Sequence, residues 1–81
     1  MRMRIRVKIY AYLRYYLPSP EKFAREEWEM PEGSTVGRVL ERLDLPEGIR
    51  IVVLLNGNRT DEKTALKEGD QVHILPQMAG G

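Results

Sequence analysis

Apolar and polar residues alternate at the N-terminal end of the chain, from residue 3 to residue 10. Such a period of two places every second side chain on the same side of an extended backbone. The pattern therefore predicts a β-strand with one buried face and one polar face. The apolar set is Met3, Ile5, Val7 and Ile9, and the polar set is Arg4, Arg6, Lys8 and Tyr10. The three cations form either a solvated face or a docking face for a partner.

The next twenty residues carry a weaker pattern. Residues 11–17 are too few for a stable helix and end at a Pro-Ser-Pro break, so they predict one turn or an irregular connection. Ser19 before a proline is typical of a helix start, but Trp28 and Met30 alternate with glutamates and precede a turn. We favour a second strand over residues 26–30 that pairs antiparallel with the first.

Residues 34–43 carry the clearest helical pattern in the chain. Apolar side chains at positions 36, 39, 40 and 43 recur with the spacing of one helix stripe. Ser34 is expected to cap the N-terminus, and Pro46 prevents the helix from continuing. The segment predicts an amphipathic helix that packs on one face of a sheet.

A second apolar segment, residues 49–55, does not alternate. Residues 51–55 are apolar without interruption, and Asn56-Gly57 follows as a turn signal. Both faces of this predicted strand are apolar, although one helix covers only one face of a sheet in so small a domain. The other face is then exposed or covered by another protein. The sequence leaves open which half of residues 51–55 faces outward, and we take Val52 and Leu54 as the candidates.

The C-terminal part of the chain predicts a polar connection over residues 60–70, which could include a short strand. A final strand is predicted over residues 71–75, where apolar and other side chains alternate again. The side chains expected in the core are Val72 and Ile74, and those expected outward are His73 and Leu75.

The predicted order is strand, strand, helix, strand, polar connection and strand. A helix that follows a hairpin must pack across the sheet, and a last strand placed parallel to the first leaves one face open. The sequence therefore predicts an α+β fold of the β-grasp (ubiquitin-like) type, a mixed sheet with one main helix packed on one face. We expect a single domain over residues 1–81, in which residues 76–81 form a flexible C-terminal tail.

The sequence ends in Gly80-Gly81 soon after the final strand. Glycine has no Cβ, so this dipeptide can extend through a narrow channel and leave the carboxylate of Gly81 accessible. On the dipeptide alone, an ordinary frayed terminus explains the sequence better. The preceding strand and the uncovered apolar face beside it favour a functional tail, with Gly81 as the reacting group.

Composition narrows the classes of function. The 81 residues include no cysteine, which excludes disulfides and cysteine-based metal sites. The net charge of +1, from 13 basic and 12 acidic residues, gives no strong attraction to nucleic acid or to a membrane surface. No apolar segment approaches the roughly 20 residues of a membrane span, and the N-terminus lacks a signal-peptide pattern. We therefore expect a cytoplasmic protein.

Candidate catalytic side chains are sparse. His73 has no cysteine or second histidine beside it to complete a metal site, so a surface histidine is the favoured interpretation. Glu26-Glu27 has no nucleophile or base beside it, and Gly33, Gly37 and Gly48 do not form a phosphate-binding pattern. We expect no active site, cofactor site or metal site within this chain.

Four motifs, taken in order, extend over most of the chain. They are Ser34-Thr35-Val36-Gly37-x-Val39-Leu40, Asn56-Gly57, Leu66-Lys67-Glu68-Gly69-Asp70-Gln71-Val72 and Pro76-x-Met78-Ala79-Gly80-Gly81. Together with Ala11-Tyr12-Leu13-Arg14, this arrangement resembles the MoaD/ThiS family of sulfur carriers, and most of all the small subunit of molybdopterin synthase. The long connection over residues 11–25 favours the molybdopterin branch over the thiamine branch.

The resemblance implies a reaction at Gly81 that partner enzymes perform. An E1-like adenylyltransferase, similar to MoeB, would use ATP to adenylate Gly81. Sulfur from a persulfide or sulfide donor would then replace AMP and leave a thiocarboxylate. The large subunit of molybdopterin synthase, similar to MoaE, would receive the tail in a heterotetramer. Sulfur transfer would build the dithiolene that binds molybdenum or tungsten.

The same resemblance implies roles for residues beside Gly81. Met78, Ala79 and Gly80 would thread the partner's active site. Independently of the resemblance, the predicted uncovered face of the sheet beside the tail is expected to contact the partners. It would do so through outward residues of the last two long strands and one cation of the first strand. These contact residues are Leu75, His73, Val52, Leu54 and Arg6.

Two other classes of function stay open. The same activation would serve a ubiquitin-like protein modifier that forms isopeptide bonds with lysines, or a carrier for thiamine or tRNA thiolation. A non-catalytic β-grasp binding module with an incidental Gly-Gly end would need no activation at all. Activation of Gly81 separates the module from the carriers, and lysine adducts separate the modifier from the molybdopterin subunit.

Overall fold

Strand β1 (Arg2–Ile9) begins and ends one residue before the predicted span of residues 3–10, and every second residue of it is buried, as the alternation predicts. In the computed structural model, which describes residues 1–23 and 25–77, two 3₁₀ helices follow, Ala11–Tyr16 and Pro20–Phe23. The remaining elements are β2 (Glu27–Pro31), α1 (Val36–Leu43), β3 (Ile51–Leu55), β4 (Asn58–Arg59) and β5 (Gln71–Pro76). Of the helices in this part of the chain, none is long and apolar enough to cross a membrane.

The five strands form one mixed sheet in the order β2-β1-β5-β3-β4. Strand β1 pairs parallel with β5 and antiparallel with β2, while β3 pairs antiparallel with β5 and with β4. The first and last strands are therefore neighbours in the interior of the sheet, and α1 packs on one face of it. This is the β-grasp architecture, so the predicted fold is confirmed.

The core lies between α1 and the sheet. Strand β1 contributes its apolar set, α1 contributes Val36, Val39 and Leu43, and β5 contributes Val72 and Ile74, all of them buried. Burying a side chain of this size contributes roughly 1.5–3 kcal/mol. Because α1 has only eight residues, this packing, and not its intrinsic propensity, accounts for its stability.

The N-terminus of α1 differs from the prediction by one residue. Thr35, and not Ser34, is the N-cap, because its Oγ1 accepts a hydrogen bond from the Arg38 N–H at 3.4 Å. The Ser34 hydroxyl instead donates to the Pro31 carbonyl oxygen at 2.7 Å and is buried in the turn between β2 and α1. Serine and threonine are both good N-caps, so the sequence alone does not decide which of these two adjacent residues caps the helix.

Strand β2 spans Glu27–Pro31, so it begins and ends one residue later than the predicted span of residues 26–30. It pairs antiparallel with β1, with Ile5 opposite Trp28, as predicted. The helix start suggested at Ser19 produces only the single 3₁₀ turn that begins at Pro20.

The connection after β3 begins with the predicted turn. Asn56 and Gly57 both have positive φ, at 51° and 90°, as a tight two-residue hairpin requires. The short strand anticipated within residues 60–70 lies just before that segment, as β4. Residues 60–70 contain only an isolated bridge, between Thr35 and Ala65, among their described strand pairings.

A close backbone contact makes Gly37 important for stability. The Gly37 N–H donates to the Glu62 carbonyl oxygen at 2.9 Å, and a Cβ at residue 37 would lie 3.1 Å from that oxygen.

We expect Gly37→Val to lower the free energy of unfolding by about 1–3 kcal/mol, because the added bulk forces α1 away from this backbone. Urea unfolding measures the change. Arg38→Val, at an exposed position of the same helix, controls for β-branched propensity and should cost less than about 1 kcal/mol. Equal losses in both variants would contradict the steric explanation.

Candidate functional site

The sheet face opposite α1, named here the open face, carries the candidate site. Because cross-strand partners share a face, the register assigns each strand's residues to it. Its residues are Arg2, Arg4, Arg6, Lys8 and Tyr10 from β1 and its end, Glu27 and Glu29 from β2, Gln71, His73 and Leu75 from β5, Val52 and Leu54 from β3, and Arg59 from β4. All five predicted contact residues are in this set. Their role in binding a partner stays a prediction.

Strands β3 and β5 form the apolar centre of the open face. Val52 lies directly opposite Leu75, and Leu54 lies directly opposite His73. These three apolar side chains are half-buried and lie outside the core cluster, whereas Val53 between them belongs to the core. The pairing with β5 therefore determines which half of the apolar β3 segment faces outward.

A polar cluster borders this apolar centre. The Oη atom of Tyr10 lies within hydrogen-bond distance of His73 Nδ1, at 3.2 Å, and the two ring centroids are 5.4 Å apart. Lys8 Nζ lies 5.1 Å from the centroid of the Tyr10 ring, which is a cation–π distance. These contacts hold the imidazole of His73 against the end of β1, beside the apolar side chains.

Cations dominate the part of the open face that β1 forms. Glutamates of β2 lie opposite Arg4 and Arg6, and Arg2 Nη1 is 3.6 Å from Glu29 Oε2. The Arg2–Glu29 pair is exposed, so it contributes less than about 1 kcal/mol to stability. Arg6 lies beside Gln71 at the start of β5, at the opposite end of that strand from the tail. Among the five predicted contact residues, Arg6 is therefore the farthest from the tail along the sheet.

The tail leaves the sheet from its middle strand, β5. Pro76 pairs with Ile51, and the Gln77 N–H donates to the Arg50 carbonyl oxygen at 3.0 Å. The strand thus includes residue 76, with which the predicted tail began, and the backbone of residue 77 is bonded to the residue that precedes β3. The predicted reacting and threading residues, Met78, Ala79, Gly80 and Gly81, lie outside the described residues.

Sequence reasoning missed two side chains that lie beside the apolar centre. Tyr10 contacts His73, and Arg59 lies opposite Leu54 in the β3–β4 hairpin. Signals for both were present in the sequence. The alternation of β1 places Tyr10 on the polar side, and a two-residue Asn56-Gly57 turn brings Arg59 opposite Leu54.

The arrangement of the open face is suited to docking. Apolar side chains at its centre and charged and hydrogen-bonding side chains around them match the composition of protein interfaces. Within residues 1–23 and 25–77, no group of three or more His, Asp or Glu side chains is placed to hold a metal ion. The predicted reacting group is the carboxylate of Gly81, which follows β5 in the sequence.

Comparison with protein families identifies one matching model. The model of the ThiS family matches residues 7–81, which is nearly the whole chain. A search of curated proteins finds no match to the sequence.

Three solved structures illustrate the range of proteins that share this fold. Small archaeal modifier protein 1 (SAMP1) from Methanosarcina acetivorans is 25% identical, with a TM-score of 0.64 over 100% of this chain and 99% of that chain. A putative molybdopterin converting factor, subunit 1, from Pyrococcus furiosus is 23% identical, with a TM-score of 0.67 over 94% of this chain and 99% of that chain. The complex of subunits 1 and 2 of molybdopterin-converting factor from Helicobacter pylori gives 21% identity and a TM-score of 0.58 over 98% of this chain and 100% of that chain.

Proposed function

The chain belongs to the ThiS family, and we propose that it is a sulfur carrier that acts as the small subunit of molybdopterin synthase. An E1-like adenylyltransferase activates Gly81: its carboxylate oxygen attacks the α-phosphorus of ATP, and pyrophosphate leaves. Sulfide from a donor then attacks the acyl carbon and AMP leaves, so that a C-terminal thiocarboxylate is formed. The carrier supplies the acyl group, and the partner enzymes supply the catalysis.

The observation that carries this proposal is the continuity of β5 from the open face into the tail. Leu75 belongs to the apolar centre, and the backbone of Gln77 is bonded to Arg50. A protein docked on the open face therefore holds the chain at a defined point next to the tail. The four residues that follow reach at most about 14 Å, which limits the distance between the docking surface and the partner's reacting atoms.

A large synthase subunit is the partner that this arrangement favours. It would bind the apolar centre of the open face and receive Met78, Ala79 and Gly80 in its active site. The structure of the Helicobacter pylori complex, which pairs subunit 1 of molybdopterin-converting factor with subunit 2, supports a partner of this class. In a heterotetramer, the thiocarboxylate sulfur would pass to the pterin precursor and form the dithiolene for molybdenum or tungsten.

A protein modifier is the second candidate, because SAMP1 from Methanosarcina acetivorans has the same fold at 25% identity. Its early chemistry is the same adenylation of Gly81. The acyl group would then pass to a lysine amine and form an isopeptide bond, with loss of the leaving group. The chemical class of the acceptor therefore distinguishes the two candidates.

Intact-mass spectrometry tests the proposed reaction. We expect the intact chain, after incubation with an E1-like enzyme, ATP and sulfide, to gain the mass difference between sulfur and oxygen. Digestion of the product should then locate this gain in the C-terminal peptide. The matched control omits ATP and should leave the mass unchanged. The activating enzyme is first verified on another carrier. If this chain gains no mass with that active enzyme, the proposal is contradicted. Peptides with a Gly-Gly remnant on lysine in cells would support the modifier instead.

A further inference from the structure

A groove on the helix side of the domain is separate from the open face. It lies between α1, the loop that follows α1, and the segment after β4, and it is a broad depression of about 1130 Å³ that is open to solvent. A smaller depression shares Leu40, Ile51, Glu62 and Lys63 with it and continues toward β4, where Val52 and Arg59 of the open face also line it. The larger depression has no lining residue in common with the open face. We name the larger depression the α1 groove; its floor is Leu40, Leu45, Ile49 and Ile51, and its charged border includes Asp44, Glu47, Glu62 and Lys63.

The apolar floor exists because α1 is short. Eight residues give a helix of about 12 Å, and its buried stripe uses Val36, Val39 and Leu43. Leu40 is left at the side of the helix, and the loop after it returns to the sheet with apolar residues of its own. The four floor residues pack against the core but stay partly exposed, so the groove can bury more apolar surface if a ligand enters.

Backbone hydrogen bonds fix the border of the groove. The Gly37 N–H donates to the Glu62 carbonyl oxygen and the Val36 N–H donates to the Thr64 carbonyl oxygen, both at 2.9 Å. The Lys63 N–H donates to Asp61 Oδ1 at 2.9 Å. The segment that carries Glu62 and Lys63 is therefore attached to the first turn of α1, and a ligand would meet a preformed border.

The charge of the groove limits what it can bind. Arg38 Nη1 is 3.3 Å from Glu41 Oε2, so these two lining residues neutralise each other. Asp44, Glu47 and Glu62 are then opposed by Lys63 alone, which leaves the groove acidic in a chain whose net charge is +1. Charge complementarity favours a ligand with cations beside its apolar side chains.

We propose that the α1 groove binds a peptide segment of a second protein in which leucine or isoleucine side chains are flanked by lysine or arginine. The apolar side chains cover the floor, and the cations pair with Asp44, Glu47 and Glu62. Ile51 faces the groove while Val52, the next residue, faces the opposite side of the sheet. Such a partner can therefore bind while another protein occupies the open face, and it would recruit the domain without blocking the tail.

Nuclear magnetic resonance of the ¹⁵N-labelled full chain tests this site with a synthetic amphipathic peptide of leucine and lysine. We expect saturable shifts at the amides of Leu40, Leu45, Ile49 and Lys63, and none at Leu54 or His73. The double variant Glu47→Lys/Glu62→Lys should weaken binding at least tenfold. The double variant Glu21→Lys/Glu32→Lys changes the charge equally at exposed positions outside the groove and should bind as the unaltered chain does.

Three outcomes would overturn the proposal. A peptide with glutamate in place of lysine could bind equally well, or the shifts could fall on the open face. The groove amides could also shift when the chain alone is concentrated. This would assign the groove to a second copy of the chain, whose open face also offers cations and apolar side chains. The dispersed spectrum of each variant verifies its fold. The result does not depend on Gly81, so a chain without residues 78–81 should bind the peptide equally, whatever the fate of the sulfur-carrier proposal.

Discussion

Deletion of Gly81 is expected to reduce thiocarboxylate formation by more than about 100-fold. The deletion moves the terminal carboxylate back by roughly 3.5 Å along an extended chain, whereas a displacement of about 1 Å already costs an enzyme on the order of 100-fold in rate. The displacement cannot be absorbed at the base of the tail, because Gln77 is bonded to Arg50 and Pro76 is paired with Ile51. Intact-mass spectrometry after incubation with the activating enzyme, ATP and sulfide measures the loss.

A chain extended by one glycine after Gly81 is the matched control for this deletion. It keeps the Gly-Gly sequence and every described contact but moves the carboxylate forward by one residue. We expect its activation to fall as well, because the terminal carboxylate no longer lies at the distance from the docking surface that matches the partner's reacting atoms. Full activity of both chains would show that the enzyme accepts any flexible terminus, and the geometric argument would be wrong. Urea unfolding of each chain establishes that the domain is intact.

Leu75→Asp is expected to abolish binding of the large subunit while the domain stays folded. Leu75 is half-buried on the open face, opposite Val52, and lies outside the core cluster. A partner that docks there would have to bury an unpaired carboxylate, at a cost of about 3–5 kcal/mol. The dissociation constant should therefore rise by more than about 100-fold. Isothermal titration calorimetry with the purified large subunit measures it.

The neighbouring residue provides the control for this substitution. Ile74 is fully buried on the other face of the same strand, so Ile74→Asp places the same charge in the core. That variant should unfold, because the free-energy cost of burying an unpaired charge in the core exceeds the roughly 4–5 kcal/mol that marks a severe substitution. Unfolding of the Leu75→Asp variant, or unchanged binding by it, would contradict the assignment of the open face.

The sequence predicted the fold wherever one periodicity was unambiguous. The alternation in β1 identifies both its buried residues and its cations, and the helical spacing identifies the stripe of α1. The Asn56-Gly57 turn predicts the hairpin between β3 and β4. In each case local geometry alone decides the outcome, so no knowledge of distant contacts is needed.

Features that depend on distant contacts could not be predicted in the same way. An apolar segment such as β3 has no polar face, so only its pairing with β5 reveals that Val52 and Leu54 face outward. The cap of α1 depends on a turn in which the Ser34 hydroxyl is already bonded. The α1 groove depends on how the loop after α1 packs beside β3 and the segment after β4, for which the sequence has no local signal.

The position of β5 between β1 and β3 also determines at which stage of synthesis and folding the open face forms. Of the five described strands, β5 is synthesised last, and it joins the β1–β2 pair to the β3–β4 pair. A chain that lacks β5 would have no strand to join these two pairs and no Leu75 opposite Val52, so the apolar centre would not form. Because β1 and β5 come from nearly opposite ends of the chain, their pairing is a slow, non-local step of folding. A partner that recognises the open face would therefore bind only chains in which β5 has been synthesised and has paired with both of its neighbours.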